Sequence, residues 1–214
     1  MKKTAVFFTV LAVILSLMGA QAQESYIEDG AKVYPTEDTN YRKDSTTTTV
    51  HNGETAIVQY PHSQLSSWQR YYFMKYDLNN IDPSRVIDSV RLTMTNAGSG
   101  GSGNNVIFGI YLIKDASWDE TTMTCQNFID TVNDKYSEIY SAGGENAAYC
   151  LASGNGISQS VEITNLFKLK EIEQTEDKKF TIVVRQVCTS AGSSECRYIC
   201  TKDSADETVR PYIT

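Results

Sequence analysis

Between residues 72 and 95 the chain alternates. Tyr72, Met74, Tyr76 and Leu78 are interleaved with Phe73, Lys75 and Asp77, and further on Val90, Leu92 and Met94 are interleaved with Arg91, Thr93 and Thr95. A period of two belongs to a strand with one face buried, so this stretch predicts two half-buried strands joined as a central hairpin. The turn between them, Asn79-Asn80-Ile81-Asp82-Pro83-Ser84, holds residues whose side chains bond their own backbone, with Pro83 fixing φ where no ladder donor is needed. A sheet with one apolar face buries it against a second layer, and the remaining runs must supply that layer.

Those runs are short and β-prone. Strands are predicted at residues 46–50, 56–60, 106–113, 159–163, 180–187, 197–201 and 210–213, with Asn52-Gly53 as a hairpin signal. Helical spacing occurs at Ile129, Val132, Tyr136, Ile139 and Tyr140, and for a turn or two around Leu166, Phe167, Leu169 and Ile172. Strands at roughly ten-residue spacing with one or two short helices predict an all-β fold, an antiparallel β-sandwich of jelly-roll type. Residues 96–105 read as a flexible loop. It contains Gly98-Ser99-Gly100-Gly101-Ser102-Gly103, a glycine pattern that cradles phosphate only where a helix follows, and here a strand follows.

The first residues stand outside the fold. Met1-Lys2-Lys3, the apolar run from Ala5 to Leu17 and Gly19-Ala20-Gln21-Ala22 have the three parts of a secretory signal peptide, which sets residues 1–22 as a leader and 23–214 as a single exported domain. No later run is long and apolar enough to span a membrane. The chain has 19 Lys and Arg against 26 Asp and Glu, a formal net charge of −7, and loss of the two leader lysines deepens it. Such a balance argues against nucleic acid and anionic membranes as partners.

Five cysteines, Cys125, Cys150, Cys188, Cys196 and Cys200, suit an oxidising compartment. Residues 189–195 read as a hairpin loop, which favours a Cys188–Cys196 bridge. A Cys125–Cys150 bridge would staple the base of the long insertion. Cys200 is then the odd thiol, or replaces Cys196 as partner. Zinc is disfavoured because Cys196 and Cys200 have no second close pair and no nearby histidine.

Catalysis finds little to work with. Only His51 and His62 are present, and no nucleophile elbow, metal-binding helix or phosphate loop occurs. The 26 acidic residues offer many carboxylate pairs, but separation in space decides whether a pair hydrolyses glycosides. No cofactor is implied. Trp118 with Asp119 and Glu120 sets a carboxylate beside an aromatic ring, and a Trp at this point after a strand commonly closes one end of a sandwich.

The polar strand faces suggest binding instead. Lys75, Arg91 and Arg185, with Tyr71 and Tyr111 in the same alternating classes, line one carbohydrate-binding face if their strands are neighbours. Sugars stack their C–H faces on aromatic rings, and Lys or Arg holds carboxylated sugars. Trp68, in a polar loop, is a second candidate. Structural calcium is an added possibility, with loop oxygens on Glu28, Asp29, Glu37, Asp38, Asn40, Asp203 and Asp206, although no spacing matches a defined calcium loop.

Four blocks in order resemble one family. Phe73-Met74-Lys75-Tyr76-Asp77-Leu78 followed by Val86-Ile87-Asp88-Ser89-Val90-Arg91-Leu92, then Ser117-Trp118-Asp119-Glu120-Thr121-Thr122-Met123-Thr124, then Val161-Glu162-Ile163-Thr164-Asn165-Leu166, then Arg210-Pro211-Tyr212-Ile213 look like the secreted DNRLRE domain, which overlaps the alginate-type carbohydrate-binding module of family ninety-six. Residues 26–30 and 36–41 look like that family's opening strand and its Thr-Asn-Tyr-Gly loop, with Arg42 where the family has Gly. The cysteines look like this chain's own addition. The resemblance implies binding of polysaccharide, with uronate polymers as the known type, by a module usually attached to a degrading enzyme. The competing classes are a structural or adhesive surface protein without sugar affinity and a polysaccharide-degrading enzyme.

Overall fold

The structure, a computed structural model, describes residues 27–42, 53–59, 70–100, 106–114, 117–121, 140–141, 149–151, 156–188 and 196–214, less Asp29, Pro83, Lys170 and Thr175 within them. Their strands are β1 (Glu37–Arg42), β2 (Thr55–Gln59), β3 (Arg70–Asp77), β4 (Arg91–Gly100), β5 (Val106–Ile113), β6 (Tyr140–Ser141), β7 (Tyr149–Leu151), β8 (Ser158–Glu162), β9 (Lys179–Cys188), β10 (Cys196–Cys200) and β11 (Tyr212–Ile213). One short helix, α1 (Thr164–Leu169), and two 3-10 turns complete the set.

All strand pairs are antiparallel, in the order β11-β4-β10-β2-β3-β9-β5-β6, with β1 on β3, β7 on β5 and β8 on β4. The long strand β4 serves both layers. Its first half pairs with β8 and β11 in a small sheet, and its second half pairs with β10 in the large one. The sheet therefore curls over itself, and the all-β sandwich expected from the alternating runs is what forms. β10 shifts register between Tyr198 and Ile199, an irregularity of the kind that bends a strand.

The core lies inside the curl. Tyr72, Met74 and Tyr76 of β3, Phe180, Ile182 and Val184 of β9, and Phe108, Ile110 and Leu112 of β5 form one cluster with Leu92 and Met94 of β4 and Ile199 of β10. Phe167 of α1 meets Phe180 edge-on at 5.5 Å, and Phe180 stacks on Tyr76 at 5.6 Å. Thr164 starts α1 and accepts a hydrogen bond at 2.8 Å from the Val90 amide, which ties the helix to the entry of β4.

Pairing differs from the sequence expectation in three places. β3 and β4 do not form a hairpin, because β10 and β2 lie between them. Residues 78–90 instead cross between the layers, although their side chains turn the backbone as anticipated: Asp77 accepts from the Asn79 amide and Asp82 from the Ser84 amide, each at 2.9 Å. β3 is buried on both faces, with Tyr71, Phe73 and Lys75 enclosed as fully as the core side. Residues 37–41 form most of strand β1 where a loop was expected, Ile27, Glu28 and Gly30 are in no strand, and Arg42 is in extended pairing with Arg70.

β4 extends to Gly100, into the expected flexible loop. The expected helix at 129–140 lies outside the described residues except for Tyr140, which is in β6, and the leader and residues 46–50 lie outside them entirely. Among the described residues no helix is long and apolar enough to cross a membrane.

Candidate glycan-binding face

Four of the anticipated residues share one face of β3, β9 and β5. Tyr71 stands opposite Arg185, whose guanidinium lies 5.8 Å from the Tyr71 ring centroid, and Tyr111 stands one row further, opposite Val183. Lys75 is on that face too, opposite Thr181. The face is not an open platform, since Tyr71 is 7% exposed and Phe73, Val183 and Thr181 are buried, while Arg185 and Tyr111 are half-buried.

Lys75 is 7% exposed and fully engaged. Its ammonium pairs with Glu37 at 2.6 Å, donates to the Trp118 carbonyl and sits 4.7 Å from the Trp118 ring centroid. Trp118 in turn donates from its indole N–H to Thr181 Oγ1 at 2.9 Å. The block 117–121 thus folds down over β3 and β9 as a clasp. Glu120 continues it: its carboxylate accepts from the Asp38 amide at 2.9 Å and pairs with Lys202 at 2.8 Å, while its own amide donates to Glu37 at 2.9 Å. On the core side Asp38 accepts from the Tyr72 hydroxyl and the Lys202 amide, both at 2.6 Å. Burial pushes the Asp38 carboxyl up to about 6, against the lowering effect of those two donors, and burial followed by the Asp38 charge pushes the Tyr72 hydroxyl well up.

Arg91 is not on this face. β4 is separated from β3 by β10 and β2, so the five residues could not converge. Trp68 lies outside the described residues. Arg91 belongs to the outer side of the small sheet, and that side has the open chemistry. Leu92 and Met94 point into the core, so Arg91, Thr93 and Thr95 lie on the other side with Ser158, Ser160 and Glu162 of β8; Arg91, Ser158, Ser160 and Glu162 are exposed there, while Thr93 and Thr95 are buried.

The segment before β1 extends this sheet, because Val33 bridges Ile213 of β11 and both side chains turn toward the core. Lys32 and Tyr34 therefore face out beside Tyr212. Two rows result. One runs Tyr34, Tyr212, Thr93, Ser160; the next runs Lys32, Thr214, Arg91, Glu162. Tyr34 is 41% exposed, its ring centroid 6.0 Å from that of Tyr212, and the Lys32 ammonium is 4.2 Å from the Tyr212 centroid. Arg91 pairs with Glu162 at 3.3 Å, both about half exposed, and two hydroxyl pairs, Thr93 with Ser160 at 2.6 Å and Thr95 with Ser158 at 2.7 Å, line the sheet between. Lys32, Tyr34 and Tyr212 were not anticipated. The short polar-apolar-aromatic run Lys32-Val33-Tyr34 between Gly30 and Pro35 was the available signal.

The bridge expected between Cys188 and Cys196 is not formed: Cys196 is a buried free thiol. Its strand is three strand spacings from β9, on the order of 14 Å along the sheet, where a disulfide needs Cα atoms within about 7 Å. β9 and β10, consecutive in sequence, are not neighbours in the sheet, so the hairpin expected between them is not formed; residues 189–195 lie outside the described residues. Cys200 is also a free buried thiol, held above the ordinary thiol range by burial. Cys125 lies outside the described residues, and so does the side chain of Cys150.

Among the described residues no three His, Cys, Asp or Glu side chains gather to hold a metal ion. Among the loop oxygens considered for calcium, that of Asp206 accepts from the Thr208 amide and that of Asp203 pairs with Lys202, while Asn40 stands in β1 and donates from Nδ2 to the Ile57 carbonyl. Glu28 is exposed and Asp29 lies outside the described residues.

The fold is an all-β sandwich, and the small sheet carries a polar and aromatic outer side. No protein-family model matches the chain, and no curated protein matches it. The likeness to the DNRLRE module rests on the four sequence blocks.

Proposed function

We propose that the chain is a secreted, non-catalytic module that binds polysaccharide through the outer face of the small sheet. The observation that carries this reading is the pair of rows Tyr34-Tyr212-Thr93-Ser160 and Lys32-Thr214-Arg91-Glu162, in which exposed Tyr34, Lys32, Arg91, Ser160 and Glu162 surround half-buried Tyr212 and Thr214 and buried Thr93. Aromatic rings take the C–H faces of sugars, hydroxyls take their oxygens, and Lys32 and Arg91 favour chains bearing carboxylates, alginate-like uronates among them. The leader reading of residues 1–22 places such a module outside the cell, and the four blocks point to the same class.

A degrading enzyme fits less well. The best-connected carboxylates, Glu37, Asp38 and Glu120, are engaged in the clasp, and Asp38 is 1% exposed, out of reach of a polymer. The test is retardation of the protein in gels containing alginate, pectin, glycosaminoglycan or a neutral glucan. Retardation by at least one polymer, weaker with added salt where the polymer is acidic, is expected. No retardation by any of them turns the reading over in favour of a structural or adhesive surface protein. Arg91→Ala should lower affinity for an acidic polymer severalfold while hardly moving the melting temperature, since its exposed pair with Glu162 contributes only about 0–1 kcal/mol.

A further inference from the structure

The same two rows limit which part of a polysaccharide can lie on them, a step that rests on the binding reading above. We infer that the face takes the interior of a single, soluble, linear chain lying across the strands, and neither a chain end nor the surface of a crystalline polymer. Each row crosses four strand positions, three spacings of about 4.8 Å, so a ligand along it meets several sugar residues in succession. Lys32, Tyr34, Arg91, Ser160 and Glu162, at the ends and along the second row, are all exposed, so a chain can run onto and off the face. A groove of about 650 Å³ lies beside the rows: Val33 and Ile213, which line it, point to the opposite side of these strands, and Thr214 of the second row borders it.

The tyrosines exclude a flat ribbon. Their rings are tilted by 60° at 6.0 Å, so they cannot both lie under one planar crystal surface. A free chain turns between one residue and the next and can follow the tilt. Tyr34 takes the C–H face of one sugar, and Lys32, steadied over Tyr212, donates to its oxygens. Thr93 is buried, so of the Thr93–Ser160 pair it is the exposed Ser160 hydroxyl that is offered to the residue that follows, with Arg91 beside it.

The experiment is calorimetric titration of the full chain with oligosaccharides of two, four and six residues from whichever of alginate, polygalacturonate or β-glucan retards it. The reducing ends would be intact in one series and reduced to the alditol in another, with pull-down on microcrystalline cellulose and chitin alongside. Affinity should rise about tenfold from two to four residues, stay unchanged on end reduction, and lose that rise in Tyr34→Ala. The crystalline polymers should retain none of the protein. A disaccharide that binds as well as a hexasaccharide, weaker binding after end reduction, or retention on the crystals would overturn the inference while leaving polysaccharide binding intact. Absence of any binding strikes the proposed function itself.

Discussion

Replacing Lys75 with alanine is expected to lower stability by about 3 kcal/mol, because it leaves the Glu37 carboxylate and the Trp118 carbonyl without the ammonium that both contact inside the clasp. In a domain of this size about 3 kcal/mol corresponds to a fall in melting temperature of roughly 6–12 °C. Lys75→Met keeps a stem under the Trp118 ring but no charge, and should fall between wild type and alanine. As a member of the carbohydrate-binding face read from the sequence, Lys75 would instead be expected to matter for sugar affinity. Thermal denaturation of the two variants decides between them: an unchanged melting temperature in Lys75→Ala would mean the clasp does not hold Lys75 as described.

The second large effect concerns Asp38 and pH. Its carboxyl is held at about 6 in the folded protein, above the ordinary 3.8, because burial penalises the charged form. The folded state therefore keeps its proton between pH 4 and 6 while the unfolded chain releases it, and stability falls as pH rises through that window. Above pH 6 the charged Asp38 costs about 3 kcal/mol relative to the protonated group below pH 4. Asp38→Asn retains an oxygen that can accept from the Tyr72 hydroxyl and the Lys202 amide but cannot ionise. Denaturant unfolding of both proteins should show the asparagine variant gaining on wild type by about 3 kcal/mol between pH 4 and pH 7. A difference that does not change with pH would contradict the buried, ionising carboxylate.

Much of the fold was legible because local pattern controls it. The eight apolar and β-prone residues Val106–Ile113 form a strand with those limits, and the period of two marked Leu92 and Met94 as the core side of β4, although Thr93 and Thr95 on its other side are buried as well. Pairing was not legible. Which strand lies beside β3 is set by contacts far along the chain, and nothing in residues 72–95 shows that β10 and β2 come between the two alternating runs. The same limit misplaced the binding face. Lys75 looks like a solvent-facing residue until Glu37 and Trp118, 38 and 43 positions away, close around it. Arg91 was read rightly as outward but assigned the wrong neighbours, because its row is completed by Lys32 from one end of the described chain and Thr214 from the other.

The cysteines show the same lesson. Sequence proximity made residues 189–195 resemble a hairpin, yet β9 pairs with β3 and β5 while β10 pairs with β2 and β4. Trp118 was legible as a closing residue because its indole has both an apolar body and a donor, and both are used against β3 and β9.

The central claim is that the small-sheet face, and not the face of β3, β9 and β5, carries the affinity for polysaccharide. Side-by-side affinity electrophoresis of Tyr34→Ala and Tyr111→Ala in a retarding polymer tests it most directly, since each variant removes one tyrosine from one of the two faces. The account predicts about a tenfold loss for Tyr34→Ala and little change for Tyr111→Ala. Loss in Tyr111→Ala with full retardation of Tyr34→Ala would contradict it and move the site to the face beneath the clasp.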